Sequence, residues 1–271
     1  MRNASIAAVT MGQLQKRLDL IGNNIANANT AGYKAKTANF SSLLVQQIDN
    51  LSPDEDTAPR VTPAGFRQGN GARLAHANVN MASGNLMTTE RALDVALTNE
   101  KQFFQVQVTE NGVTETQFTR AGNFYLQPIN NNEQVMLVTA EGHPIVGNNG
   151  PIVVQGGFDD IRINENGEIA VTRGTAVNAE ASLELVQVEL PRSLESAGGN
   201  RYRFPNEAYG MDENAVAQVV DASVLPGTLE TSNVNLSEAL TSMMETQRAY
   251  QLNARAITFS DQMAGLVNSL R

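Results

Sequence analysis

The apolar positions near the start of the chain fall on one helical stripe. Ala4, Ala7, Met11, Leu14, Leu18, Ile21, Ile25 and Ala28 are spaced 3-4-3-4-3-4-3. This is the a/d seam by which a helix buries one face against another helix. The pattern returns at the other end, where Leu252, Ala256, Phe259, Met263, Leu266 and Leu270 are spaced 4-3-4-3-4. The same C-terminal segment carries a second stripe, Leu236, Leu240, Met243, Tyr250, Ala254 and Ile257, interrupted by Gln247. Two apolar faces on one helix need two partners. The spacing therefore predicts terminal helices that pack with each other and with neighbouring copies, the alternative being that both faces of the last helix meet the β domain of the same chain. Asn233 or Ser237 is the expected cap of the last helix, with Glu238 in its first turn, where the helix dipole favours an acid.

Between the ends the period shortens toward two. Phe103 to Val108 alternates, Asn111-Gly112 supplies a hairpin turn, and Glu115 to Phe118 resumes the strand pattern. Val135 to Thr139, Ile161 to Ile163, Glu168 to Val171 and Leu183 to Leu190 repeat it, with turns at Glu141-Gly142 and Asn166-Gly167. Short strands with frequent turns predict an antiparallel β domain, closed by Pro226-Gly227. Phe40, Leu43, Leu44 and Ile48 fit a helical turn or two. The Pro- and Gly-rich stretch from Leu51 to Gly71, with its acidic run Asp54-Glu-Asp56, reads as an extended linker. The expected fold is α+β. A discontinuous, coiled-coil-like helical domain spans 1–50 and 226–271, a linker 51–71, and an antiparallel β domain 72–225.

Composition narrows the chemistry. A net charge of -9 argues against nucleic acid, because a binder must offset phosphate with clustered Lys and Arg. There is no cysteine among 271 residues, which removes disulfides, thiolate metal sites and cysteine nucleophiles. It also suits a chain exported unfolded. The first helix is too polar for a cleaved signal peptide, since Gln13, Gln15, Lys16, Arg17 and Asp19 interrupt it. No apolar run is long enough to span a membrane. His76 and His143 have no partners at ligand spacing. Asp159-Asp160 adjoin on a strand, where neighbouring side chains point to opposite faces. Asn164-Glu-Asn-Gly167 lacks the distal Glu of a calcium loop. The sequence therefore predicts no catalytic residue, no metal and no cofactor. The Asn-rich stretch with Asn23, Asn24, Asn27 and Asn29 has two readings: residues that fix a bend after the helix, or direct contacts to neighbours.

Five blocks of sequence carry a resemblance. Leu20-Ile-Gly-Asn-Asn-Ile-Ala-Asn-Ala-Asn-Thr-Ala-Gly-Tyr-Lys34 closely resembles the N-terminal motif of the bacterial flagellar axial proteins of rod and hook. Gly227-Thr-Leu-Glu-Thr-Ser-Asn-Val-Asn235, followed by Met243-Met-Glu-Thr-Gln-Arg-Ala-Tyr250, resembles their C-terminal motif. Ala92 to Leu97 with Phe103-Phe104, then Phe118-Thr-Arg-Ala-Gly-Asn-Phe124, then Val138 to Gly142, resemble successive β blocks, in order. The length is most like the distal-rod members. One departure stands out: where the family usually has a glycine turn before the paired Phe, this chain has Thr98-Asn-Glu-Lys-Gln102.

The resemblance implies a structural, non-enzymatic subunit of the basal-body rod, exported by the flagellar type III apparatus without cleavage. Its implied partners are copies of itself, other rod and hook proteins and the export apparatus. On this reading the assembly interface comprises Met11, Leu14, Leu18, Ile21, Asn24, Ile25, Asn27 and Tyr33 at one end. Leu240, Met243, Tyr250, Leu252, Ala256, Phe259, Met263 and Leu266 form it at the other. The rival expectations are a cell-wall glycan-binding module and, less favoured, a peptidoglycan hydrolase.

Overall fold

A computed structural model describes residues 2–42, 45–48, 66–69, 72–110, 112–130, 133–205 and 217–269. The chain divides into two compact units. One comprises Met1–Ile25, Lys36–Asn78 and Leu236–Arg271, and the other Ala26–Ala35 with Val79–Asn235.

The first unit holds the two helices that the stripes predict, α1 (Arg2–Ala26) and α2 (Leu236–Ser269). At 1.5 Å per residue, α2 is about 50 Å long. Beside them, β1 (Lys36–Ser42) is hydrogen-bonded to β4 (Ala72–Val79), and β2 (Val45–Ile48) pairs antiparallel with β3 (Phe66–Gly69). The helical turns expected around Phe40 to Ile48 are therefore strands. The short apolar spacing there suits either element, and the ladder with residues 66–79 supplies backbone partners that an isolated helical turn lacks. Leu43 and Leu44 lie outside the described residues, as does most of the 51–71 stretch.

The second unit is antiparallel throughout its ladders. Its centre is a six-stranded sheet in the order β18 (Glu195–Gly198), β19 (Arg201–Arg203), β8 (Val113–Thr119), β7 (Gln102–Glu110), β17 (Leu185–Val188), β20 (Ala217–Val220). Around it lie two three-stranded sheets. One is β9 (Tyr125–Ile129), β10 (Gln134–Val138) and β13 (Val153–Gln155); the other is β14 (Asp160–Ile163), β15 (Glu168–Arg173) and β16 (Ala176–Ser182). Three small pairs complete it: β11 (Val146–Gly147) with β12 (Gly150–Pro151), β6 (Val95–Leu97) with β21 (Val224–Pro226), and β5 (Leu86–Thr88) with β22 (Thr228–Glu230).

The paired phenylalanines explain the two cores of this unit. Adjacent strand residues point to opposite faces, so Phe103 and Phe104 feed different clusters. Phe104 packs edge-on against Phe124, 5.0 Å between centroids, among Val95, Val106, Leu137, Ile145 and Ile169. Phe103 meets Tyr202 edge-on at 6.2 Å, with Phe118, Val186, Val188 and Leu194. The turn before them needs no glycine. Asn99 closes it instead: its carbonyl accepts from Gln102 N–H and its side chain from Lys101 N–H. The expected turn glycines Gly112, Gly142 and Gly167 all have positive φ. Pro226-Gly227 does not end the β structure. Gly227, at φ +63°, turns the chain from β21 into β22.

Candidate assembly surface and a buried ion cluster

Three of the resembling blocks meet inside the second unit, around three charged side chains, Lys34, Arg120 and Glu230. Glu230 Oε1 accepts from Lys34 Nζ at 2.6 Å and from Gly84 N–H at 2.8 Å. Its other oxygen accepts from Arg120 Nε at 3.0 Å and Nη2 at 2.8 Å. Arg120 Nη1 also donates to the carbonyls of Asn99, Glu100 and Gln102, and Lys34 donates to that of Ala82. The Lys34 and Arg120 side chains are wholly buried and that of Glu230 is 2% exposed. Lys34 ends the N-terminal block, Arg120 sits in Phe118-Thr-Arg-Ala-Gly-Asn-Phe124, and Glu230 sits in the C-terminal block. The signal was present as charges flanked by small and apolar residues inside those blocks.

Burial pushes the Glu230 carboxyl upward, but Arg120 and Lys34 outweigh it and hold its pKa below the ordinary value. Burial, with the like charge of Arg120, pushes Lys34 down despite Glu230. Burial raises the Tyr33 and Tyr202 hydroxyls.

Backbone ties accompany the ions. Gly32 N–H donates to the Glu230 carbonyl at 2.8 Å and Ala35 N–H to Asn233 Oδ1 at 2.7 Å. Asn233 Nδ2 in turn donates to the carbonyls of Asn80 and Ala82. Asn233 is thus a cross-link between segments rather than the expected helix cap. The segment after α1 and the segment before α2 run side by side. Gly32 is at φ +67°, and a Cβ there would lie 2.6 Å from Ala121 N.

Of the two readings of the Asn-rich stretch, the bend-fixing one holds for Asn24. Its amide donates to the Lys36 carbonyl at 2.8 Å and accepts from Lys36 N–H at 2.9 Å, a backbone-like pair across the turn. Asn27 Oδ1 accepts from Thr30 Oγ1.

The remaining residues expected at an interface sort by exposure. On α1, Ile21 is buried and Met11, Leu14, Leu18 and Ile25 are half-buried. Tyr33 is buried, only 4% exposed in the isolated chain. On α2, Thr246 is buried, and Met243, Tyr250, Ala254 and Ile257 are half-buried on the same face. Leu240, also assigned to that stripe, is exposed. The other stripe is bare: Leu252 is 64% exposed and Phe259 65%, and Ala256, Met263 and Leu266 are exposed with them.

The residues considered for chemistry lie in strands and turns. Asp160 pairs with Arg162, and Asp159 accepts from Gly174 N–H. Asn164 and Gly167 close the β14–β15 hairpin. His143 Nε2 lies 2.7 Å from Arg201 Nη1, and burial and that guanidinium lower its pKa. His76 lies in β4. Among the described residues no group of three His, Cys, Asp or Glu is placed to hold a metal, and no helix is long and apolar enough to cross a membrane.

The comparisons with known proteins fall on these blocks. Residues 5–34 match the family model "Flagella basal body rod protein", residues 99–171 the "Flagellar hook protein FlgE/F/G D1 domain", and residues 225–270 the "Flagellar basal body rod FlgEFG protein C-terminal". The chain is 40% identical over 275 residues, the full length of both proteins, to the flagellar hook-basal body complex protein FlhP of Bacillus subtilis. It is 33% identical to the basal-body rod protein FlgG of Buchnera aphidicola over 94% of each chain. To FlgG of Agrobacterium fabrum it is 31% identical, over 99% of this chain and 98% of the relative. The chain belongs to the flagellar basal-body rod family.

Proposed function

We propose that this chain is a structural subunit of the flagellar basal-body rod that polymerises through its terminal helices and transmits torque. The observation that carries the reading is the bare stripe Leu252, Ala256, Phe259, Met263 and Leu266 on a helix whose other face is half-buried around Thr246. Burying one such Leu, Phe or Met side chain is worth roughly 1.5–3 kcal/mol. A seam of four is therefore a strong association surface, and its occupants are copies of this chain and its rod and hook relatives. Contacts between copies that do not close into a ring build a helical tube. Close-packed helices resist deformation, as torque transmission demands. The subunit reaches the basal body by flagellar export, has no turnover and needs no cofactor.

The test is Phe259→Asp in the chromosomal gene. The variant subunit should fold, because the position is exposed in the isolated chain, yet fail to enter purified basal bodies and leave the cells non-motile. Normal incorporation and swimming would remove the stripe from the assembly interface.

A further inference from the structure

The second unit is closed by its last segment at two independent places. β6 is buried along its whole length, and its ladder partner is β21; the partner of β5 is β22. The two fully buried cations, Lys34 and Arg120, have Glu230 as their shared anion. The fit leaves no slack. A Cβ on Gly84 would lie 1.9 Å from the Thr231 carbonyl oxygen, and one on Gly32 would meet the Arg120–Ala121 backbone.

Before residues 224–233 arrive, neither cation can leave water without a large penalty, because an unpaired buried charge is strongly unfavourable. Arg120 also holds the carbonyls at the entry to β7 through Nη1. An Arg120 that stays in solvent leaves that entry unfastened and takes the guanidinium away from the Phe103 ring, 5.7 Å from it in the folded chain. The strand and the charge thus impose the same order of events.

The geometry points to a completion latch: the second unit reaches its native core only when residues 224–233 dock, and Glu230 is the group whose arrival permits that step. A chain made or delivered N-terminus first stays open in this unit until residues 224–233 have been made or delivered. A subunit bound for passage through a narrow channel would then not fold partway. The latch itself stands on the intramolecular contacts and does not depend on the rod assignment.

Pulsed hydrogen exchange during refolding of the full-length chain tests it. Amides of β7 and β8 should gain protection in the same kinetic phase as those of β21 and β22. Protection of β7 and β8 in an earlier phase would overturn the proposal. Glu230→Gln should slow that shared phase by more than about tenfold and change the unfolding rate little, the signature of an interaction formed in the rate-limiting step. An unchanged refolding rate with faster unfolding would also overturn it. If the Gln variant does not fold, Glu230→Asp, which keeps the charge, is read by the same division between the two rates.

Discussion

Glu230 is a single carboxylate on which three remote parts of the chain converge. Removing its charge leaves Lys34 and Arg120 buried and uncompensated. We expect Glu230→Gln to cost about 3–5 kcal/mol in urea unfolding. Adding Lys34→Met, which removes one of the stranded cations, should recover part of that loss. Strictly additive effects in the double-mutant cycle would mean the two side chains are not coupled. The pH dependence has a definite sign. The folded pKa of Glu230 is below its ordinary 4.5, so its contribution is complete above about pH 4.5 and is lost as the pH falls through the folded value. Thermal melts from pH 6 downward should show a loss of stability below pH 4.5 that is much reduced in the Gln variant. Gly32 offers a purely steric counterpart. Gly32→Ala must place a side chain at φ +67° against the Ala121 backbone. It should destabilise by roughly 1–3 kcal/mol, and a neutral result in the same urea assay would contradict the close approach.

At the scale of elements, the two helices were legible in the sequence because their stripes run over many turns, and periodicity is reliable at that length. Phe103 to Val108 and its hairpin partner were legible for the same reason, alternation bounded by a turn glycine. The stretch from Phe40 to Ile48 was not. Its few apolar residues fit a helix or a strand, and the decision belongs to β3 and β4, which lie further along the chain. Asn233, one of two residues expected as the cap, is instead bonded to Ala35, Asn80 and Ala82, partners that a local capping rule does not see. Lys34, Arg120 and Glu230 escaped for the same reason, since pairs 196 and 110 residues apart leave no local spacing to detect. The exposed stripe on α2 carries its own prediction. The C-terminal half of that helix, from Leu252 onward, keeps its apolar seam in water in the free subunit and should fray. Hydrogen exchange of the dilute monomer should be fast from Leu252 onward and slow in β7 and β17. Strong protection of residues 252–269 in the monomer would mean that the helix is stable without a partner.

As a whole molecule, the chain combines a β unit with two cores of its own and a pair of helices of which one face is unsatisfied. The β unit gathers the segment leaving α1 and the segment entering α2, which are tied to each other by Gly32–Glu230 and Ala35–Asn233 although they are far apart in sequence. That division suits the proposed role, a subunit that joins a larger array of its relatives. The central claim is that the array is the basal-body rod and that the α2 stripe is a contact within it. Cryo-electron microscopy of purified basal bodies from the source bacterium tests this most directly. The account predicts density for this chain in the axial rod, with Leu252, Phe259, Met263 and Leu266 packed against helices of adjacent subunits. A rod that lacks the chain, or one in which that face of α2 remains open to solvent, would contradict it.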